Sequence, residues 1–237
     1  MLLFVVRHGD PIYDPDSLTP LGRLQAQALA KRFAVHGLDR VFSSPVIRAQ
    51  QTAEPTCEML KLPKEIEEWT SESLAWQDFT VKDEETGRLR WIFQQPNARF
   101  RSNGDQLLGN GNWQKAGSLK GFDVDHCYDR IRRESDRFLE RLGYRREGGV
   151  YRIIRPNEER VALFCHQGFS MGWFPHLLNI PPHIFWSAFD VNHTGVTLFE
   201  FKNYPDHITA PKCLCFSDVS HFLKEGLPLR FSNGVRM

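Results

Sequence analysis

The sequence predicts an α/β fold, a three-layer α/β/α sandwich with a mostly parallel central sheet. Three short segments with the residue pattern of strands support this prediction, at residues 2–6, 40–44 and 161–165, and a loop or a helical pattern follows each of them. Strands that alternate with helices are typical of parallel sheets. The chain has 237 residues, of which 41% are hydrophobic and 25% charged, as in ordinary soluble globular proteins. We therefore expect a single α/β domain over residues 1–237.

Composition and charge narrow the range of partners. The formal net charge is +1, so there is no general reason to expect nucleic acid or an anionic membrane as a partner. No apolar stretch approaches the roughly 20 residues that a membrane-spanning helix needs. The cysteines are scattered and odd in number, which favours reduced thiols and a cytoplasmic location. They are Cys57, Cys127, Cys165, Cys213 and Cys215.

The first predicted strand, at residues 2–6, runs directly into Arg7, His8 and Gly9. A buried apolar strand thus ends in a cation, an imidazole and a flexible turn. Ligands of α/β proteins bind at the carboxyl ends of the strands. This junction is therefore the first candidate site.

The next two helices are predicted from their starting residues. Thr19 and Pro20 form an N-cap followed by a proline at the first helical position, and Gly37 ends that helix. Ser44 and Pro45 are expected to begin the second helix in the same way. Pro55 predicts a kink or an early end near residue 54.

Arg48 falls in the first turn of the second helix. Its guanidinium and the free N–H groups of the helix N-terminus would both favour an anion at that position. An arginine in the first turn opposes the helix dipole, so a purely stabilising role is less attractive there. A solvated surface arginine remains the alternative.

Three segments in this order resemble the histidine phosphatase superfamily, also called phosphoglycerate mutase-like. They are Arg7-His8-Gly9, the stretch LTPLGRLQA at residues 18–26 and the stretch SSPVIRAQQTA at residues 43–53. A fourth is His166, which follows the apolar strand at residues 161–165. The sequence departs from the family pattern there, because Gln167 stands between His166 and Gly168.

The resemblance implies a role for each of these residues. His8 would be the nucleophile that forms a phosphohistidine, and Arg7, Arg48 and His166 would bind the phosphate. If it is protonated, His166 would be a third cationic donor to the phosphate. It is also counted among the catalytic residues, with His8. The resemblance implies no metal and no cofactor, because arginines take the place of a divalent cation.

The proton donor is less well defined by the sequence. Members of the family carry a carboxylic acid just past the third strand, which we predict at residues 65–69. Glu72 is our candidate, because it lies beyond that strand, and Glu67 and Glu68 are the alternatives. The donor would protonate the leaving oxygen and later deprotonate the attacking water.

Asp14, Gln167 and His193 are the candidate substrate-binding residues. Many family members have asparagine at the position of Asp14, where a carboxylate would repel phosphate. We expect Asp14 to point away, to pair with an arginine or to help to select the substrate. His193 precedes a predicted strand at residues 195–201 and lies either at the rim of the site or on the surface.

The middle of the chain carries no superfamily motif. We interpret residues 76–157 as an insertion that caps the active site, in which Trp76, Trp91 and Trp113 alternate with basic residues such as Arg88 and Lys115. Such a mixture could clamp a phosphorylated substrate, bind single-stranded nucleic acid or simply form a small core. Residues 125–142 predict an amphipathic helix, and residues 151–155 and 160–165 a hairpin.

The functional hypothesis is a metal-independent phosphomonoesterase that acts on a small phosphorylated metabolite. A phosphoglycerate mutase-type phosphotransferase is the second hypothesis, and a catalytically silent phospho-ligand binding protein is the third. The expected partner is the phosphorylated substrate, without nucleic acid or membrane. The sequence is compatible with a monomer or a homodimer.

Overall fold

The computed structural model describes residues 1–101, 119 and 122–229. In chain order the strands are β1 (Leu2–Arg7), β2 (Pro11–Tyr13), β3 (Asp16–Leu18), β4 (Arg40–Ser43), β5 (Lys64–Ile66), β6 (Thr80–Lys82), β7 (Leu89–Trp91), β8 (Tyr144–Glu147), β9 (Val150–Ile153), β10 (Arg160–Cys165), β11 (Val196–Glu200), β12 (Ile208–Thr209) and β13 (Lys212–Asp218). The helices are α1 (Pro20–His36), α2 (Ile47–Leu60), α3 (Glu72–Asp78), α4 (Asn97–Arg101), α5 (Val124–Arg141), α6 (Gln167–Leu178), α7 (Pro182–Trp186) and α8 (Ser220–Glu225).

The central sheet of the described chain has six strands in the order β13-β11-β1-β10-β4-β5. Strands β1, β10, β4 and β5 are parallel, whereas β11 and β13 are antiparallel to their neighbours. The predicted mostly parallel sheet is confirmed. Because β1, β10 and β4 run side by side, the residues after Arg7, Cys165 and Ser43 meet at one edge of the sheet.

Helices cover both faces of this sheet, as the predicted sandwich requires. On one face Phe4 and Val6 of β1 pack with Leu29 and Phe33 of α1 and with Ala53 of α2. On the other face the alternate residues of the same strand join a larger core that includes α5 and α6. Members of this second core are Leu3, Val5, Phe138, Phe169 and Trp173.

The hairpin predicted between residues 151–155 and 160–165 is wrong. Strand β9 pairs with β8 and β12 in a small separate sheet, and β10 lies between β1 and β4. The physical reason is burial: β9 alternates between exposed and buried residues, whereas residues 161–165 of β10 are all buried. A strand that is buried on both faces needs a helix layer above and below it.

Three predicted boundaries also change. Helix α2 begins at Ile47 rather than at Pro45, and it continues through Pro55, where we expected a kink or an end. Pro55 is half-buried, and the helix holds because its neighbours Ala53 and Cys57 pack into the core. The third strand is shorter than expected and ends at Ile66, and a 3₁₀ turn at Glu68–Thr70 leads into α3.

The region predicted as a cap begins with α3, the β6–β7 hairpin, a 3₁₀ turn at Ile92–Gln94 and α4. These elements pack against α6 and α7: the ring of Trp91 lies against Gly168, that of Phe79 against Gly172, and Phe100 contacts Trp186 edge to face. Trp113 and Lys115 lie outside the described residues. Further along, α5 packs its buried side chains into the central core. The division into core and cap stays a prediction.

Candidate active site

Adjacent strand ends bring His8 and His166 together at the carboxyl edge of the sheet. The N–H of His8 donates to the carbonyl of Cys165 over 2.9 Å, and the N–H of Ser44 donates to that of Phe164 over 2.8 Å. The hydrogen-bonding ladder of the sheet thus extends one residue beyond each strand. The centroids of the two imidazole rings are 5.2 Å apart. The two predicted histidines therefore face one site.

The position of the proton on His8 follows from its partner. His8 is 2% exposed, and its Nδ1 lies 2.7 Å from the carbonyl oxygen of Gly9. Since a carbonyl only accepts, Nδ1 carries the proton and Nε2 keeps a free electron pair. Burial, followed by the nearby His166 and Arg7, holds the pKa of His8 well below its usual value. His8 is therefore a neutral imidazole, as a nucleophile must be.

Side chains of α2 hold the His8 loop in place. The N–H of Gly9 donates to Thr52 Oγ1 over 3.0 Å. The Thr52 hydroxyl in turn donates to the carbonyl oxygen of Arg48 over 2.7 Å. The loop that carries His8 is thus tied to the first turns of the helix that carries Arg48.

Arg7 and Arg48 each use only part of their guanidinium groups within the protein. Arg7 Nη1 donates to the carbonyl of Val191 over 2.7 Å, and Arg48 Nη1 pairs with Asp16 Oδ1 over 2.6 Å. Asp16 Oδ2 also accepts from the N–H of Arg48 over 3.3 Å. The Nε atoms of both arginines are buried without a hydrogen-bond partner in the described chain. Each arginine therefore keeps a donor for another group.

His166 is held by Ser44. Its Nε2 is 2.7 Å from Ser44 Oγ, and Ser44 Oγ accepts the N–H of Val46 over 3.4 Å. The Ser44 hydroxyl can donate to Nε2 or accept from it, and Nδ1 of the ring is buried without a partner among the described residues. Burial, Arg48 and Arg7 hold the pKa of His166 well below its usual value. His166 is thus a neutral imidazole here, and its role as a third cationic donor to a bound phosphate stays a prediction.

His193 lies beside His8 and not on the remote surface. The centroids of the two rings are 5.7 Å apart, and His193 Nδ1 is 3.6 Å from Asp10 Oδ1. Asp10 is itself fixed by the hydroxyl of Thr19, which donates to its Oδ2 over 2.7 Å. The Nε2 of His193 is buried and has no partner within the described residues. Burial, followed by Arg7, lowers the pKa of His193 to about 4, against the opposing effect of Asp10.

Glu72 is bound to the start of α6, next to His166. Its Oε1 accepts the N–H of Gly168 over 3.0 Å, and its Oε2 accepts the N–H of Phe169 over 3.1 Å. Burial raises the pKa of Glu72, and these two N–H groups, Arg48 and Arg7 oppose that shift. The indole of Trp91, which lies against Gly168, contributes to the burial of this corner.

The other two candidate acids lie elsewhere. Glu67 accepts from Trp69 Nε1 over 2.9 Å and forms an ion pair with Arg141. Glu68 is exposed at the start of the 3₁₀ turn. Of the three carboxylates, Glu72 is the one that contacts the segment directly after His166.

Gln167 and Asp14 have different positions relative to the site. Gln167 Nε2 donates to Asp190 Oδ1, and both residues line a cavity of about 520 Å³ together with Arg7, Asp10 and His193. Asp14 is exposed in the turn between β2 and β3. The arginine pairing that we considered for Asp14 is made by Asp16.

A sequence model of the histidine phosphatase superfamily (branch 1) matches residues 3–107, the segment that carries Arg7, His8, Arg48 and Glu72. This segment, which is less than half of the chain, is similar to the histidine phosphatase superfamily. A comparison with curated proteins finds no significant match.

Solved structures of several phosphatases share this fold. Phosphoserine phosphatase from Entamoeba histolytica, in complex with 3-phosphoglyceric acid, is 17% identical with a TM-score of 0.58, over 93% of this chain and 98% of that one. Mycobacterial glucosyl-3-phosphoglycerate phosphatase is 16% identical with a TM-score of 0.57, over 91% and 98%. The α-ribazole phosphatase from Shigella flexneri is 19% identical with a TM-score of 0.56, over 92% and 97%. At these identities the likeness concerns the fold.

Sequence reasoning missed residues that support the superfamily motifs. The sequence contains no indication of a role for Asp16 or Asp190. Asp16 pairs with Arg48 and Asp190 with Gln167, and both partners are distant in the sequence. Ser44 was assigned only as a helix start, although its hydroxyl contacts His166. Within the described ranges, no helix has the length and apolarity to cross a membrane, and no group of three or more His, Cys, Asp or Glu side chains is arranged to hold a metal.

Proposed function

We propose that this protein is a phosphatase of the histidine phosphatase superfamily that hydrolyses a small phosphorylated metabolite through a phosphohistidine on His8. The observation that carries the proposal is a set of unpartnered nitrogen atoms on the side chains of this site. Four buried nitrogen atoms without a hydrogen-bond partner in the described chain belong to side chains of this site, namely Arg7 Nε, Arg48 Nε, His166 Nδ1 and His193 Nε2. Buried polar groups are normally satisfied, so this cluster is suited to an oxyanion that would satisfy them.

His8 is the proposed nucleophile. The Gly9 carbonyl fixes the proton on Nδ1, and the pKa of the ring is lowered, so Nε2 is free to attack phosphorus at neutral pH. The new P–N bond forms as the P–O bond of the ester breaks. The proton stays on Nδ1 throughout, hydrogen-bonded to the Gly9 carbonyl oxygen.

Arg7, Arg48 and His166 are the proposed phosphate ligands, and His193 adds a further contact. Phosphoryl transfer asks the protein chiefly for positioning and for positive charge around the phosphate oxygens. Two arginines supply that charge, and Asp16 orients Arg48 through two oxygen atoms. A bound phosphate dianion would also favour protonation of His166 and His193.

Glu72 is the proposed acid and base. Burial raises its pKa, which keeps a larger fraction of the carboxyl protonated and able to give its proton to the leaving oxygen. In the second step the Glu72 carboxylate takes a proton from water, the hydroxide attacks phosphorus, and the P–N electron pair returns to His8. This position of a carboxyl group favours a phosphatase over a catalytically silent binding protein.

The test is phosphate release from p-nitrophenyl phosphate, sugar phosphates, nucleotides and phosphoglycerates, with a chelator present throughout. We expect release of phosphate that persists in the chelator, because arginines supply the positive charge around the phosphate. Activity that disappears in chelator and returns with added metal would contradict the mechanism. The cytoplasmic location, the homodimer, and the absence of a nucleic-acid partner stay predictions from the sequence.

A further inference from the structure

A second cavity, of about 660 Å³, lies next to the cavity that contains Arg7. The two cavities share Gln167 and Asp190, whose side chains are hydrogen-bonded to each other. A substrate whose phosphate lies at Arg7 and His8 can therefore extend its leaving group into the second cavity. Its volume is in the range of pockets that hold small organic ligands.

The described lining of this second cavity contains no lysine or arginine, and it combines polar residues with the apolar side chains of Phe93, Met171, Trp186, Ala188 and Phe189. Gln94, Gln95 and Asn97 contribute amide groups from one side, and Ser187 and Asp190 lie on the other. Arg101 is not part of the lining but lies next to it, where its Nε and Nη2 donate to the Oγ and carbonyl oxygen of Ser187 over 3.1 and 2.9 Å. Among the described lining residues, the one formal charge is the carboxylate of Asp190.

Asp190 stands at the junction of the two cavities. Its Oδ1 accepts from Gln167 Nε2 and, over 2.7 Å, from the N–H of Val191. The next residue, Val191, accepts the hydrogen bond of Arg7 Nη1. The carboxylate is thus fixed close to the proposed phosphate ligand, on the side where the leaving group would begin. A second negative charge on the substrate would meet a like charge at Asp190, and the described lining beyond it offers amides rather than a cation.

We infer that the second cavity binds the leaving group, and that the preferred leaving group is a hydroxyl-bearing alcohol without a second negative charge. This inference rests on the phosphatase proposed above and names its substrate class. The amides of Gln94 and Asn97 supply donors and acceptors for hydroxyl groups, and Asp190 accepts from a hydroxyl or an ammonium group. Carboxylated and bisphosphorylated substrates are discriminated against.

The test compares glycerol 3-phosphate with 3-phosphoglycerate, which differ only by a CH₂OH group in place of a carboxylate. We expect kcat/KM to be about ten-fold or more higher for glycerol 3-phosphate. In Asp190→Asn this ratio should fall by about three-fold or more, because the asparagine Oδ1 keeps both hydrogen bonds while the charge is lost. Asp206→Asn, at an exposed aspartate between β11 and β12, is the matched control and should keep the wild-type ratio.

Equal or better turnover of 3-phosphoglycerate would overturn the inference, and so would an unchanged ratio in Asp190→Asn. The proposed function is tested separately by p-nitrophenyl phosphate, which has no second ionised group on its leaving group. If no phosphate ester is hydrolysed, the proposed function is wrong. The inference about the second cavity is then tested by the dissociation constants of glycerol 3-phosphate and 3-phosphoglycerate, measured by calorimetry. Tighter binding of glycerol 3-phosphate then supports the inference, and equal or tighter binding of 3-phosphoglycerate overturns it.

Discussion

Replacing His8 with asparagine is expected to reduce kcat/KM for p-nitrophenyl phosphate by about 10⁴-fold or more, because the phosphoryl group loses its acceptor atom. The measurement is the initial rate of nitrophenolate release, with circular dichroism to verify the fold. Phosphate should still bind to the variant, since Arg7, Arg48 and His166 remain. His36→Asn, on the exposed last turn of α1, is the matched control and should leave the rate unchanged. Residual activity of His8→Asn within about ten-fold of wild type would remove His8 from the mechanism.

Glu72→Gln is expected to reduce kcat/KM for an alkyl phosphate by about 10³-fold, because a poor leaving group needs a proton as it departs. The same change should reduce kcat/KM for p-nitrophenyl phosphate by only about ten-fold or less, since nitrophenolate leaves without protonation. This parameter reports the first irreversible step, so later hydrolysis of the phosphohistidine does not mask the difference. Glu67→Gln and Glu68→Gln are the controls, because they are the alternative donors.

The pH profile of kcat/KM for an alkyl phosphate gives a second measure of the same residue. His8 must be neutral, and its pKa is lowered, so the rate falls only as the pH drops well below 6.5. Glu72 must be protonated, and its pKa is raised from 4.5, so the rate falls as the pH rises through that higher value. Glu72→Gln should lose this alkaline limb relative to wild type. A limb that persists in Glu72→Gln and disappears in Glu67→Gln would move the acid to Glu67.

Much of the site could be predicted because its residues follow strands. The apolar segments at residues 2–6 and 161–165 are recognisable, and parallel neighbours deliver Arg7, His8 and His166 to one edge. His193 could not be assigned in the same way. It reaches the site because β11 pairs antiparallel with β1, so the loop that precedes β11 lies beside the end of β1. The order of strands in a sheet depends on contacts between distant segments, and the residue pattern of a single segment does not predict it.

The pairing of Arg48 with an acid shows a second limit. Both Asp14 and Asp16 lie in a short polar segment, and either could pair with an arginine. The hairpin register, in which Tyr13 opposes Asp16, leaves Asp14 in the exposed turn and brings Asp16 to the first turn of α2. A shift of one residue reverses which side chains face the protein. Glu72 was found because it lies past the third strand, although that strand ends earlier than predicted and a 3₁₀ turn intervenes.

The most direct test of the account is to trap the phosphorylated protein. The protein is mixed with a phosphate-labelled substrate that it hydrolyses, quenched rapidly in alkali and digested for mass spectrometry. The account predicts a phosphoryl group on His8 that is stable in alkali, labile in acid, absent from His8→Asn and released to water as inorganic phosphate. A label on another residue, or sustained turnover without any labelled protein, would contradict it.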